Sequence, residues 1–455
     1  MANVRSAISV TIALALLLAL APAVAAKGVP VVHLVVLPAG TTPDELAEAG
    51  FSPGLMSAGL GAVPRNQTYL DIGQGNRVFD SLYDQSLPWS QGCGSWQKEV
   101  EVRAESAPAE IVPFLLVRKA RRHGLTVSWT GRLACAFGGN RRIDPGNRGA
   151  LFFLEGALLG KAGEMRRFLE SDLLIVIAEP EGESDEPVAI GIAGRGFDGN
   201  LTSGSTRTDG YVLSTDVAPT ILDRLGVEVP SEMSGQPIRA EGAVDAAAIE
   251  SLGARMEVIS SRRGTAVGLP IAAWLLLAAL IALVSRGALA RPIVRVLGLS
   301  VVYLPLLLLL GATLEPAETA EALLVGLGAP LLGILTLALL GGYRALAVAS
   351  ALTVLAYSID VVAGSPLTSL SLLGPNPGLG VRFYGIGNEL EALLAVLGVA
   401  GVGAGLTAFA PRSSQRAKAA AFVFAGLLAA FVFAAGRFGA DVGAAIVFPI
   451  GAAVA

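Results

Sequence analysis

Two hydrophobic rhythms divide the chain. Up to about residue 193, short continuous apolar runs alternate with amphipathic stretches; beyond about residue 267 the apolar runs lengthen to the scale of a bilayer. The runs VVHLVVL (31–37), LTVSWT (125–130), LLIVIA (173–178) and PVAIGIA (187–193) predict short buried strands. Between them, PAEIVPFLLVRKARRHG (108–124) and ALLGKAGEMRRFLES (157–171) predict helices, each bounded by Gly, Pro or a cap candidate. Continuous apolar strands alternating with amphipathic helices predict an α/β layer fold with a mostly parallel sheet. In such sheets an active site lies at the carboxyl ends of the strands.

Apolar segments of about 20 residues, enough to cross a bilayer, fall at 267–284, 296–313, 322–342, 345–364, 390–410 and 419–435. A seventh begins near Val442 and is still apolar at Ala455, as expected of a piece of a longer protein. At the other end, Arg5, the apolar run from Ala7 to Leu20 and the small residues Ala23, Ala25 and Ala26 predict an export signal or a retained anchor over residues 1–27. The expected organisation is therefore a signal or anchor (1–27), an exported α/β domain (28–265) and a transmembrane helical bundle (266–455). Arg286, Arg291 and Arg295, then Arg344, then Arg412, Arg416 and Lys418 follow alternate helices, which places those connections in the cytoplasm and residues 28–265 outside.

Composition agrees with this division. The 455 residues are 53% hydrophobic and only 15% charged, with a mean hydropathy of +0.63, so a lipid bilayer is the expected partner and the plasma membrane the expected location. A formal charge of −4, without a basic stripe interleaved with aromatics, argues against nucleic acid. The only cysteines, Cys93 and Cys135, both lie in the exported part, where a disulfide is permitted; their separation alone does not show that the sulfurs meet.

Candidate chemistry occurs in both halves. RFYGIGNELEALL (382–394) and GRFGADVGAA (436–445) are polar for helix starts; on helices, Asn388 and Glu391 would share one face and Arg437 and Asp441 another. With Arg382, Glu389 and Asp360, they are either a ligand or ion site at the outer face or an interfacial ion-pair cluster. Gly385, Gly387 and Pro375 suggest irregular backbone nearby. In the exported half, the loops GNRVFD and FGGNRRIDPGNRG supply Asn76, Arg77, Asn140, Arg141, Arg142 and Arg148, which suit an anionic group and suit solvent equally well.

The stretch STDVAPTILDRLG (214–226) predicts a short helix capped by Thr215–Asp216, starting at Val217 or Ala218, with Pro219 in its first turn and Gly226 at its end. Its residue order resembles a helix of the alkaline phosphatase superfamily, as do VEVPSEMSGQPI after it and the strand and loop before it, over residues 187–238. GLMSAGLGAVPRNQTYLDIGQGNRVF (54–79) and RFYGIGNE (382–389) further resemble a group of polytopic bacterial membrane proteins whose exported domain has that fold. The resemblance implies an alkaline phosphatase-like α/β domain and, in active relatives, two metal ions held by Asp and His with a Ser or Thr nucleophile.

Three ligand blocks of that site are altered here. HLVVLPAG places Pro38 and Ala39 where an Asp is expected, LLIVIAEPEG offers Glu179 and Glu181 without a His, and ESDEPVAIGI offers Asp185 and Glu186 where another His is expected. His33, inside the first strand, and His123, at the end of a basic helix, are the only histidines. Ser57, in the GLMSAG turn, is the sole nucleophile candidate. The reading that follows is an envelope membrane protein whose degenerate phosphatase-like domain is a binding or assembly module for an anionic or lipid-linked envelope component, without a cofactor. Two alternatives stay open: a hydrolase or headgroup transferase with a carboxylate-only site for a divalent metal, and a transporter or lipid flippase.

Overall fold

The computed structural model describes residues 30–87, 93–129, 133–138, 150–155, 173–286 and 288–455. The expected signal or anchor, the expected helix over 157–171, and Asn140, Arg141, Arg142 and Arg148 lie outside these residues. The chain forms two compact units: one is the chain up to Ala254 together with Gly378–Gly380, the other Arg255–Pro377 with Val381–Ala455.

The first unit is built on a seven-stranded sheet in the order β10-β2-β8-β6-β1-β5-β4. Its strands are β1 (Val31–Leu37), β2 (Ser52–Ser57), β4 (Thr126–Trp129), β5 (Ala150–Glu155), β6 (Leu173–Ala178), β8 (Val188–Ala193) and β10 (Tyr211–Leu213). Two small antiparallel pairs complete it, β3 (Val63–Pro64) with β7 (Glu183–Ser184) and β9 (Asn200–Ser203) with β11 (Ile238–Glu241). The sheet is mixed: only β8 runs against its neighbours, and the other pairings are parallel. β1 lies at the centre, with Val35 in register with Leu154 of β5 and Val176 of β6.

Both faces of the sheet are covered, which is why its strands read as unbroken apolar runs. Val32, Leu34 and Val36 face one core with Tyr69, Leu70 and Ile72 of helix α2 (Arg65–Gln74) and with Leu115 and Leu116 of α4 (Leu115–Arg122). Val35 and Leu37 face the other, with Leu46 of α1 (Pro43–Glu48) and Phe51. Full burial of such side chains stabilises the fold by about 1.5–3 kcal/mol each. α1 begins with a reciprocal cap in which Glu45 N–H donates to Thr42 Oγ1 and Thr42 N–H to Glu45 Oε2.

Local chemistry shifted two expected helices. The segment 108–124 is helical only over Leu115–Arg122, because Pro113 and the left-handed Phe114 (φ 61°) hold the preceding residues out of it. The helix of the 214–226 stretch, α6 (Ser214–Arg224), starts earlier than expected. Asp216 is its third residue and reaches back to accept the Leu213 N–H at 2.9 Å, so the cap comes from inside the first turn. Cys93, in α3 (Cys93–Glu105), and Cys135, in α5 (Leu133–Ala136), form a disulfide with Cα atoms 4.9 Å apart.

The second unit is helical. Among the described residues, six helices are long and apolar enough to cross a membrane: α7 (Ala246–Val284), α8 (Ala290–Leu314), α9 (Glu318–Leu340), α10 (Gly342–Val362), α11 (Asn388–Phe409) and α12 (Gln415–Ala434), followed by the shorter α13 (Ala444–Val454). The protein is thus a multi-pass membrane protein. α7 begins well before the expected span at 267–284, its polar first half continuing into the apolar one. Leu299, Tyr303 and Leu308 pack with Val325 and Ala349 in its core. Glu321, on the first turn of α9, is fully buried and takes both terminal nitrogens of Arg255 at 2.8 and 3.1 Å and one from Arg262 at 3.1 Å.

The disulfide generates a first prediction. Replacing both Cys93 and Cys135 by Ser removes a cross-link between residues 42 apart in sequence and should lower unfolding stability by about 2–4 kcal/mol, read as a reduced melting temperature of the detergent-purified chain that matches reductant-treated wild type.

Candidate functional site

In the first unit the carboxyl edge of the sheet collects a buried polar network. Ser57 is the last residue of β2, a strand rather than the expected turn, and stands beside Leu213 of the parallel β10. Pro53 and Gly54 disguise the strand; Gly54 is required because a Cβ there would lie 2.9 Å from Leu201 Cβ and 3.4 Å from Gly210 O. The Ser57 hydroxyl donates to Gly59 O at 2.9 Å and accepts from Arg77 Nη1 at 3.1 Å. Arg77 also donates to Gly59 O at 2.9 Å and, through Nη2, to Gly380 O at 2.7 Å. The arginine read as an anion ligand is therefore committed to the chain's own oxygens. Tyr211, fully buried beside Ser57, has its phenol pushed up to about 12 by burial.

The neighbouring helix α2 carries Gln67, Asp71 and Gln74, all buried. Asp71 Oδ1 accepts from Gln67 Nε2 at 2.7 Å and Gln74 Nε2 at 3.0 Å, while its Oδ2 meets no partner. Burial pushes its carboxyl up to about 7, against the opposing pull of the Gln67 hydrogen bond and the charges of Arg77 and Arg103. Arg103, nearly enclosed, donates to Gln67 Oε1 at 3.0 Å and to Gln85 O at 2.9 Å, pairs with Asp80 and lies 3.5 Å over the Tyr83 ring.

Asp216 is the second buried carboxylate of this unit. It accepts from Ser203 and Ser205 at 2.6 Å each, from Leu213 N–H at 2.9 Å and from Gln236 N–H at 2.8 Å. Burial raises its pKa and these four donors oppose the rise. Asn76, the partner of Arg77 in the GNR motif, donates to Glu110 O and Glu232 O and accepts from Ser234 Oγ, tying three loops together.

Among the described residues, the acids considered for a two-metal site do not converge. Glu179, just past β6, is paired with Arg65, and Glu181 and Asp185 are exposed beyond it. Among the described residues, no group of three or more His, Cys, Asp or Glu gathers to hold a metal ion. His33 is buried in β1 and stacks on Phe152 at 4.9 Å, its pKa lowered by burial to about 4. The described residues therefore do not fit a divalent metal pair.

In the second unit, Arg382, Glu391 and Asp441 come together. Arg382 Nη1 donates to Asp441 Oδ2 at 3.2 Å and to Ile386 O, and Nη2 donates to Ala440 O at 3.2 Å. Asp441 Oδ1 caps Gly443 N–H at 2.9 Å, and Glu391 faces the same carboxyl. Residues 436–443 are turns rather than helix, so Arg437, which is exposed, and Asp441 do not share a helical face. Residues 382–387 are likewise irregular, and Asn388 and Glu389 open α11 on exposed positions while Glu391 turns inward. Gly385 (φ 82°) permits this: its backbone passes so close to Gly439 O that no Cβ would fit, and Ile386 N–H donates to that oxygen at 3.2 Å. Asp360 lies elsewhere in this unit, accepting Leu367 and Thr368 N–H at 3.1 and 2.7 Å. Sequence reasoning missed Asp71 and Asp216 as buried carboxylates because nothing in the local pattern separates them from surface acids.

Asp71 makes stability depend on pH. Its folded pKa lies above the ordinary 3.8, so the native chain binds the extra proton between about pH 4 and pH 7 and loses stability as pH rises through that window. Asp71→Asn, which keeps the oxygen for Gln67 and Gln74, should flatten the fall in melting temperature between about pH 5 and about pH 8, and be the more stable protein at the upper end by up to a few kcal/mol.

Searches against protein-family models, curated proteins and solved structures each returned no match. The functional reading therefore rests on this chain's own residues.

Proposed function

We propose that this multi-pass protein belongs to the cell envelope, with its α/β unit on the extracytoplasmic side. There the unit acts as an alkaline phosphatase-like binding or assembly module for an anionic or lipid-linked envelope component, without two-metal ester hydrolysis. The observation that carries this reading is the state of Ser57: its hydroxyl is bonded to Gly59 O, Arg77 and the Tyr211 phenol, with no carboxylate or imidazole among its described partners, and Arg77 is engaged by two backbone oxygens. The pairing of Glu179 with Arg65 supports the same reading for the acidic loop. An extracytoplasmic side is supported by the Cys93–Cys135 disulfide, a bond that persists in oxidising compartments, and by the arginine-rich connections after alternate helices.

A second reading, transport or lipid flipping by the helical unit, is favoured by the Arg382–Glu391–Asp441 cluster, since ionisable groups within spanning segments mark translocation or ligand sites. One set of variants separates the readings. The purified full chain, supplied with Zn²⁺ or Mn²⁺, should turn over generic phosphate and sulfate esters no faster than Ser57→Ala does. Metal-dependent turnover abolished by Ser57→Ala would overturn the proposal in favour of the hydrolase. Loss of cellular function in Glu391→Gln and Asp441→Asn, with Ser57→Ala and surface charge reversals on the α/β unit both silent, would transfer the function to the helices.

A further inference from the structure

Within the helical unit, α10, α11, α12 and α13 enclose a cleft of about 350 Å³, within the roughly 300–1,000 Å³ of small-molecule sites. Ala351, Val354, Val402, Phe422, Ala425 and Phe448 are among its walls, and no charged side chain lines it. Of its two hydroxyls, Ser358 Oγ is spent on Val354 O at 2.7 Å, and Ser350 Oγ is buried behind the close approach of Gly401. An ion, a sugar or a peptide backbone would find almost no polar partner inside, and its desolvation would go uncompensated.

The cleft's depth identifies what meets it. On α10 the lining runs from Ala347 to Ser358, about 8 to 24 Å along a helix about 31 Å long at 1.5 Å per residue. That is the middle of a membrane-crossing segment, where the surrounding phase is hydrocarbon. The cleft is also continuous with the lipid-facing surface: Leu355 and Leu428 line it and are themselves 58% and 51% exposed, beside the outward Leu352 and Phe424. Its walls are firm. Gly401 lets α11 close on Ser350 of α10, a Cβ there coming within 2.7 Å of Ser350 Cβ, and Gly426 does the same for α12 against Ala452 of α13 at 2.5 Å. Small residues thus lock the helices in pairs while leaving a gap between them, and an unfilled gap would forfeit dispersion contacts on every side.

We infer that this cleft is a seat for one acyl chain of a bilayer phospholipid, held between the α10–α11 and α12–α13 pairs. The inference does not depend on the envelope component proposed above. The test reconstitutes the full chain in phosphatidylcholine vesicles containing a small fraction of lipid with a diazirine in its acyl chain, and maps the photolabelled residues by mass spectrometry before and after transfer to detergent. Label should appear on Val354, Val402 and Phe422 as well as on the outward Phe424, and after transfer should persist on the first three alone. Ala425→Trp, or Ala429→Leu if the first does not fold, should cut the cleft label several-fold with Phe424 unchanged. Cleft residues unlabelled while Phe424 is labelled would overturn the proposal, showing that protein covers the cleft. Label lost equally from all four residues in detergent, or unaffected by both variants, would overturn it as well.

Discussion

A charge removed from water must find its partner within the chain, and this requirement organises both units. Removing one member of a buried pair leaves an uncompensated ion and costs about 3–5 kcal/mol, so each buried charge fixes the elements around it. Arg103 gathers Gln67, Asp80, Gln85 and Tyr83 about one guanidinium. Arg255 and Glu321 meet through two parallel bonds with almost no exposure on either side, and Arg262 adds a third. Arg77 is held by a hydroxyl and two carbonyls. Arg77, the described arginine of the loops that suggest a ligand site, therefore serves as an internal fastener.

The sheet gives this requirement its location. All strands but β8 point the same way, so the ends of β2, β6 and β10 share one edge, and the loop returning from β6 to β8 crosses it. In open sheets that edge is where ligands are bound. Here the first turn of α6 closes on its own Asp216, and Ser57 closes on Gly59 and Arg77. Most of the polar groups described at this edge are thus bonded to one another, with Asp71 Oδ2 a buried exception.

How much of this was legible depended on the range of each interaction. Val31–Leu37, Leu173–Ala178 and Val188–Ala193 declare themselves because burial on both faces leaves an uninterrupted apolar run. The membrane helices do so because length and composition suffice. β2 was hidden because its Pro53 and Gly54 oppose strand propensity and are tolerated only by packing against Leu201 and Gly210. Spacing puts Asp441 on one helical face with Arg437, whereas Arg382, which bonds it, lies 59 residues back and is reached through turns at 382–387 and 436–443. Spacing arguments hold inside a helix and fail where the backbone leaves it. Cys93 and Cys135 illustrate the same limit, since compartment permitted the bond and only the fold brings the two helices together.

Within the helical unit the buried acids differ in how completely they are answered. Glu321 has two arginines, and Asp360 has two backbone N–H groups that fold the following turn onto it. Glu391 instead faces another carboxyl, Asp441, whose own oxygens are shared between Arg382 and Gly443 N–H. The two carboxyl groups are bonded to each other as well as facing the Arg382 guanidinium, so the three side chains form one hydrogen-bonded cluster. Arg382 and Asp441 sit on irregular backbone held by the close pass of Gly385 and Gly439, a geometry tolerated within a bilayer only where it is enclosed by protein or lines a cavity.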